Sequence, residues 1–495
     1  MRFERQSGVF CHVTSLPGPH GVGDLGAGAR EFVDFLARAD QSLWQVCPLG
    51  PTVDVHGHSP YQAYSAFAGN PLLVDLRDLQ DRGYLDELQP PDDAFSPDAV
   101  AYDAVESFKL AALRDAHEAF EARASEDERA AFEAFREREA DWLADYALFR
   151  ALGREYDQRS WTGWPEPVRT RDPDALADAR EAHAGEVDFR AFVQWVFDEQ
   201  WRDLHDYAAE RGVSVVGDVP IYVALDSADV WAAPGCFDLD AEGRPAAVAG
   251  VPPNPGDDGQ RWGNPVYDWD ALREREYGWW LRRLERLLDL VDAARIDHFK
   301  GFDQFWAIPA DADDPAAGEW REGPGAAFFE AARERIGELP FFVEDLGFLD
   351  PGVVGLRERF DLPGLRVPHY ADWCAEGDMY QPMHYPADAV AYTSTHDTDT
   401  AAGYYDALSE RQRECLQFNL GTDGESVHWD LLEAVWNSEA AVAFTTVPDL
   451  LGLGSVARFN TPGTNEGNWD WRVRADALSA DLADALAAET DATLR

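Results

Sequence analysis

The fold class predicted by this sequence is α/β: a (β/α)8 TIM barrel closed by eight parallel strands and enlarged by helical and loop insertions. Three observations predict it. Short apolar runs alternate with stretches of helical spacing along most of the chain. Several of those runs end in carboxylates or charged clusters, which buried strands rarely carry unless the strand end does chemistry. The chain has 495 residues, well beyond the ~250 of a plain barrel, and the surplus falls in stretches without barrel strands. An open doubly wound sheet is the alternative architecture.

The elements follow in order. Residues 8–13 read as a first strand, 14–26 as a Gly/Pro-rich loop, and 27–38 as a helix spaced by Phe32, Phe35 and Leu36. Residues 43–47 are the second strand, followed by a loop with Ser59-Pro60-Tyr61-Gln62. From 79 to 188 strand signals vanish and charge rises, which predicts a helical insertion. Trp161 and Trp164 near its end are expected to tuck back onto the barrel. Phe189, Phe192, Val193, Val196, Phe197, Trp201 and Leu204 recur every three or four residues, one long amphipathic helix. Residues 213–218 form the third strand, ending on Asp218. Residues 224–270, rich in Gly and Pro, read as a loop insertion over the active face. The helix 279–290 leads into strand four and the cluster Arg295-Ile296-Asp297-His298. Strand five, 339–345, ends on Glu344-Asp345. Residues 364–367 are the sixth strand. Residues 389–393 are the seventh, followed by Thr395-His396-Asp397, and 440–446 are the eighth. Residues 1–495 thus read as a single catalytic barrel.

The chain carries 42 basic and 93 acidic residues, a net charge of −51, and its only lysines are Lys109 and Lys300. Such charge repels itself in dilute salt, and at molar salt the Debye length shrinks to roughly 3 Å. The acid is spread along the chain, which points to a salty cytoplasm, as in extreme halophiles, rather than to a tail for a basic partner. Nucleic-acid binding is excluded for want of a basic patch. Five cysteines, widely spaced and without a CxxC, argue against a disulfide framework and a cysteine-based zinc site. The opening MRFERQSGVF has no signal-like apolar stretch, and no apolar run reaches about 18 residues. A cytoplasmic protein, monomeric or weakly homo-oligomeric and without membrane contact, is expected.

In a barrel the strand ends converge on one face, so Asp297, Glu344 and Asp397, with Asp218, form a constellation there. Paired carboxylates suit glycosidic bond chemistry, one attacking the anomeric carbon and one protonating the leaving oxygen. Arg295 shares strand parity with Asp297 and is expected to keep it ionised. The apolar lead-in Phe341-Phe342-Val343 is expected to raise Glu344. Gly21-Val22-Gly23-Asp24-Leu25-Gly26 fits a dinucleotide fingerprint. It lies seven residues beyond its strand, however, and sets an acid where pyrophosphate would come, so it reads as a loop over the active face.

The motifs together resemble the 4-alpha-glucanotransferases called amylomaltases or disproportionating enzymes, glycoside hydrolase family 77. The likeness runs from Gly8 to about Arg472. It is carried by His12-Val13-Thr14-Ser15-Leu16-Pro17-Gly18-Pro19, Ser59-Pro60-Tyr61-Gln62, Gly217-Asp218-Val219-Pro220, Arg295-Ile296-Asp297-His298, Glu344-Asp345-Leu346-Gly347, Thr395-His396-Asp397 and Gly467-Asn468-Trp469. The resemblance implies a barrel without a C-terminal β-domain, acting on α-1,4-glucans and maltooligosaccharides with no metal and no organic cofactor. It implies Asp297 as nucleophile, Glu344 as acid/base and Asp397 as transition-state stabiliser. Tyr61, Asp218, Arg295, His298, His396 and Asn468 are then placed around the donor sugar, and Trp262 stacks on sugar. The reaction implied is retaining transfer of glucan segments to another glucan or glucose, with hydrolysis by water as the alternative. The family's loop after Gly-Val-Pro-Pro carries Asp-Tyr-Phe, whereas Asn254-Pro255-Gly256-Asp257-Asp258 lacks both aromatics, which bears on the exclusion of water.

Overall fold

The structure is a computed structural model and describes residues 4–90, 95–254, 258–347, 350–464 and 466–495. Its twelve strands, in chain order, are β1 (Gln6–Phe10), β2 (Leu43–Gln45), β3 (Ser214–Val219), β4 (Ala247–Val251), β5 (Gln260–Pro265), β6 (Ala293–Ile296), β7 (Gln304–Pro309), β8 (Glu319–Glu322), β9 (Phe341–Val343), β10 (Gly364–Arg366), β11 (Ala389–Tyr392) and β12 (Val442–Thr446). Eight of them close in the order β1-β12-β11-β10-β9-β6-β3-β2, and every pairing around the ring is parallel. The fold is the (β/α)8 barrel.

Side-chain alternation makes each strand a ladder from core to site. Leu43, Val216, Ala293, Phe342, Val390, Tyr392, Val442 and Phe444 fill the barrel interior as one apolar cluster. Two residues further along, at the same parity, stand Asp218 after Val216, Arg295 after Ala293 and Glu344 after Phe342. Register brings these together, with Asp218 opposite Arg295 on β3 and β6 and Arg295 opposite Phe342 on β9. Between the two layers Tyr392 Oη donates to Gln45 Oε1 at 2.8 Å, so the buried amide and phenol satisfy each other.

Outside the barrel, the helices Tyr102–Arg123, Glu126–Arg138, Ala140–Glu155 and Pro173–Ala182 occupy part of residues 79–188. The long amphipathic helix runs Ala184–Glu210. Two of its buried glutamines hold neighbouring loops by both amide ends, Gln194 on Gly69 and Gln200 on Asp75. Trp161 and Trp164 are buried, and Trp161 Nε1 donates to Leu225 O.

Two expectations are corrected. Residues 224–270 are not loop alone. They hold the short helix Ala228–Ala232 and strands β4 and β5, which join β7 and β8 in an antiparallel sheet of order β5-β4-β7-β8. Cys374 and Cys415 are joined as a disulfide, 41 residues apart, because the loop after β10 packs on the helix Glu410–Leu420; Cys11, Cys47 and Cys236 are free and buried. The turn Gly21–Gly26 is buried throughout. Asp24 turns inward to Lys109, whose fully buried ammonium donates to Leu72 O at 2.7 Å and lies 3.5 Å from Asp24 Oδ2. No helix among the described residues is long and apolar enough to cross a membrane.

Candidate active site

One guanidinium organises the barrel mouth. Arg295, 4% exposed, donates from Nη1 to Asp218 Oδ2 at 2.7 Å and from Nη2 to Glu344 Oε2 at 2.8 Å. The same Nη2 lies 2.9 Å from Asp297 Oδ1. Tyr61 Oη donates to the far side of this cluster, at Asp218 Oδ2, 3.0 Å away. Because Asp297 and Glu344 share one nitrogen, the two distances together cap the separation of those oxygens at about 5.7 Å. A separation under that ceiling accommodates the ~5–5.5 Å of a retaining carboxylate pair and falls short of the roughly 6.5 Å or more of an inverting one.

The turn after β6 supplies the next donors. His298 sits in the left-handed region, φ 45°, which costs about 1 kcal/mol or more for a non-glycine residue. That conformation aims its backbone N–H at Glu344 Oε2, 2.8 Å away. The rings of Trp262 and His298 meet at nearly a right angle, 4.9 Å between centroids. Asp397 arrives from the end of β11 with His396 Nε2 3.1 Å from its Oδ2, and the His396 ring stacks on Tyr61 at 5.1 Å.

The shifts at Asp297 and Glu344 run opposite to those expected from the sequence. Burial pushes Asp297 well above the usual carboxylate range; Arg295 opposes the rise, while Glu344, Asp218 and Asp397 add to it. Glu344 is also subject to burial, but Arg295 and the His298 side chain and N–H outweigh it and hold the group below its ordinary value. The hydrogen bonds explain the difference, since Glu344 accepts two at one oxygen. The two carboxyls titrate as a pair, with Asp297 pushed toward its protonated form and Glu344 toward its ionised one. Asp397 is held low: burial would raise it, but His396, Arg295 and Asn460 prevail. Burial lowers His298 and raises Tyr61.

The structure brings Tyr61, Asp218, Arg295, Asp297, His298, Glu344, His396, Asp397 and Trp262 together. The Asn468 amide is engaged in its own loop, accepting from Thr461 N and donating to Thr464 O, both at 2.8 Å, and the ring of the next residue, Trp469, packs on Tyr61 and His396. Of the lid residues 254–258, positions 255–257 lie outside the described residues. Sequence reasoning missed Asn460, which donates to Asp397 Oδ1 at 2.6 Å from a polar loop with no periodic signal. It also missed Tyr370, 46% exposed and close enough to feel the charges of Glu344 and Asp397; an aromatic just past the sixth strand was the available cue.

A closed parallel barrel with such a carboxylate pair at its C-terminal mouth defines an enzyme of glycosidic bonds. The family model described as 4-alpha-glucanotransferase matches residues 11–478. The chain is 45% identical to the 4-alpha-glucanotransferase of Thermus thermophilus, with all of both chains covered. It is 41% identical to that of Synechocystis, covering 96% of this chain and 95% of that one. It superposes on the amylomaltase of Streptococcus agalactiae in complex with acarbose with a TM-score of 0.94 at 32% identity, covering 99% and 100% of the two chains. The chain belongs to the 4-alpha-glucanotransferase family. It is a transferase acting on α-1,4-glucans, passing segments from donor to acceptor glucan, and hydrolysis is not the favoured reading.

Proposed function

We propose that transfer proceeds through an ester on Asp297, with Glu344 as acid/base and Asp397 as the stabiliser of the sugar cation. The observation carrying this reading is the cap of about 5.7 Å on the Asp297–Glu344 oxygens, which suits direct attack rather than an interposed water. Asp297 Oδ1 bonds to the anomeric carbon while the glycosidic bond to the leaving 4-oxygen breaks. Glu344 gives its proton to that oxygen. The acceptor's 4-hydroxyl then attacks the same carbon, its proton passes to Glu344, and Asp297 leaves as carboxylate. For the first step the proton of the pair must sit on Glu344, with Asp297 ionised. A sugar ring that displaces water from the mouth and engages the Arg295 cluster favours that state, because the nucleophile must be ionised.

The donor sugar is read as meeting buried polar atoms that lack a protein partner, Asp218 Oδ1 and His298 Nε2. Hydroxyl groups are the ligands that satisfy such mixed donors and acceptors. The relative solved with acarbose, named in its own description, supports an oligosaccharide there. Asn468 is read as a further contact of the donor sugar, and Trp262 as flanking the sugar next to His298.

We also read the chain as one catalytic barrel over 1–495, with 79–188 and 224–270 as insertions. The net charge of −51 supports a protein of a salty cytoplasm, as a monomer or weak homo-oligomer. The deciding assay incubates the pure protein with maltotriose in molar salt. Glucose plus longer maltooligosaccharides at constant reducing ends is expected for wild type, with loss of product in Asp297→Asn and Glu344→Gln. Most activity surviving in either variant would overturn the assignment of roles.

A further inference from the structure

Asp397 is held by a loop far away in sequence. Asn460 Nδ2 donates to its Oδ1 at 2.6 Å, and Arg458 Nη2 donates to its backbone carbonyl at 2.5 Å. Arg458 Nε also donates to Asn460 O at 2.5 Å, and Asn460 N donates to His396 O at 3.0 Å. The clamp thus grips the side chain of Asp397, its backbone and the backbone of the residue before it. The loop is itself braced. Trp469 N donates to Phe459 O at 2.6 Å, and the Asn468 amide pins Thr461 and Thr464.

We propose that Asn460 is a positioning residue for glucan transfer, fixing the Asp397 carboxylate against the reacting sugar through its amide N–H. The proposal rests on the reading of Asp397 as the third carboxylate of the reaction. Asp397 has the freedom to turn, since its own strand ended at Tyr392 and its side chain is about a third exposed. His396 Nε2 touches only the other oxygen, Oδ2. Without Asn460, Oδ1 keeps no side-chain donor among the described residues. The charged and titratable groups facing Asp397 are His396 beside it, Arg458 on its carbonyl, Arg295, Asp297 and Glu344 across the mouth, Cys47 at the end of β2 and Tyr370 beyond β10. Asn460 is the uncharged member of this set, so it orients the carboxylate without neutralising it.

The test measures maltotriose disproportionation across pH for Asn460→Ala and Asn460→Asp, with Asp397→Asn as reference. Asn460→Ala is expected to lower kcat about 10²-fold, the usual cost of a misplaced reacting group, with KM changed by less than about threefold because ground-state binding is kept. Asn460→Asp keeps the shape of the side chain but opposes one carboxylate to another. Its kcat is expected to fall as pH rises and to recover on the acid side, where the pair holds a proton. A purely structural role predicts the opposite: profiles that superpose on wild type with kcat within about twofold, which would overturn the proposal. If Asp397→Asn itself stays active, the underlying reading of Asp397 fails instead.

Discussion

Arg295 Nη2 donates to Glu344 Oε2 at 2.8 Å, so the cation that serves the proposed nucleophile also serves its acid/base partner. A second arm of the same guanidinium holds Asp218. No point charge can replace this planar fork. Arg295→Lys is expected to lose at least about 10²-fold in kcat, as when a preorganised donor is removed from an active site, and Arg295→Met more. Steady-state transfer from maltotriose checks both, and a lysine variant within a few-fold of wild type would contradict the sharing.

The pH dependence follows from the same contact. The productive state of the Asp297–Glu344 pair holds one proton. Asp297 lies above the ordinary range and Glu344 below it, so that state spans a broad interval on both sides of an unperturbed carboxylate. Asp397 is held low, stays ionised through the acid limb and does not define it. Asp218→Asn removes a negative charge that raises Asp297, and the alkaline limb of kcat/KM is expected to move to lower pH. A shift the other way, or none, counts against this coupling.

The disulfide Cys374–Cys415 ties the loop after β10 to the helix Glu410–Leu420. Gln412 and Asn419 of that helix also hold Asp372 and Trp373 by hydrogen bonds. Cys374→Ser is therefore expected to cost about 2–4 kcal/mol of stability through the freer unfolded chain, with the folded loop kept in place. Denaturant titrations with and without dithiothreitol measure the loss. Wild type should meet the variant's midpoint under reducing conditions; an unchanged midpoint on reduction means that no bond forms.

A net charge of −51 predicts a melting temperature that climbs with salt as like charges are screened. Circular dichroism melts in dilute and molar potassium chloride give the answer. Equal melting temperatures would remove the case for a salt-adapted chain.

The strand-end carboxylates were legible because alternation is a local property. Val216 and Asp218, or Phe342 and Glu344, must face the same side whatever the rest of the chain does. Arg295 beside Asp297 was legible for the same reason, but its competing partners were not, since Asp218 and Glu344 reach it from strands 77 and 49 residues away. That competition reverses the direction of the shifts expected from Arg295 and the apolar lead-in alone. The sheet of β4, β5, β7 and β8 escaped notice because Gly250 and Pro265 mask a strand signal, and its pairing spans about 60 residues of intervening chain. Asn460 and the cysteine pair lie in segments where neither spacing nor composition marks a partner.

The burial of Lys109 has a practical outcome for anyone attaching this enzyme to a surface or a dye. With two lysines in the chain and one sealed against Asp24, side-chain amine coupling is left to Lys300. That amine is salt-bridged to Asp350 at 2.6 Å and stands three residues beyond Asp297. Acylating reagents will act slowly and then land beside the mouth of the barrel, so thiol or carboxyl chemistry at a distant engineered position is the route that spares turnover.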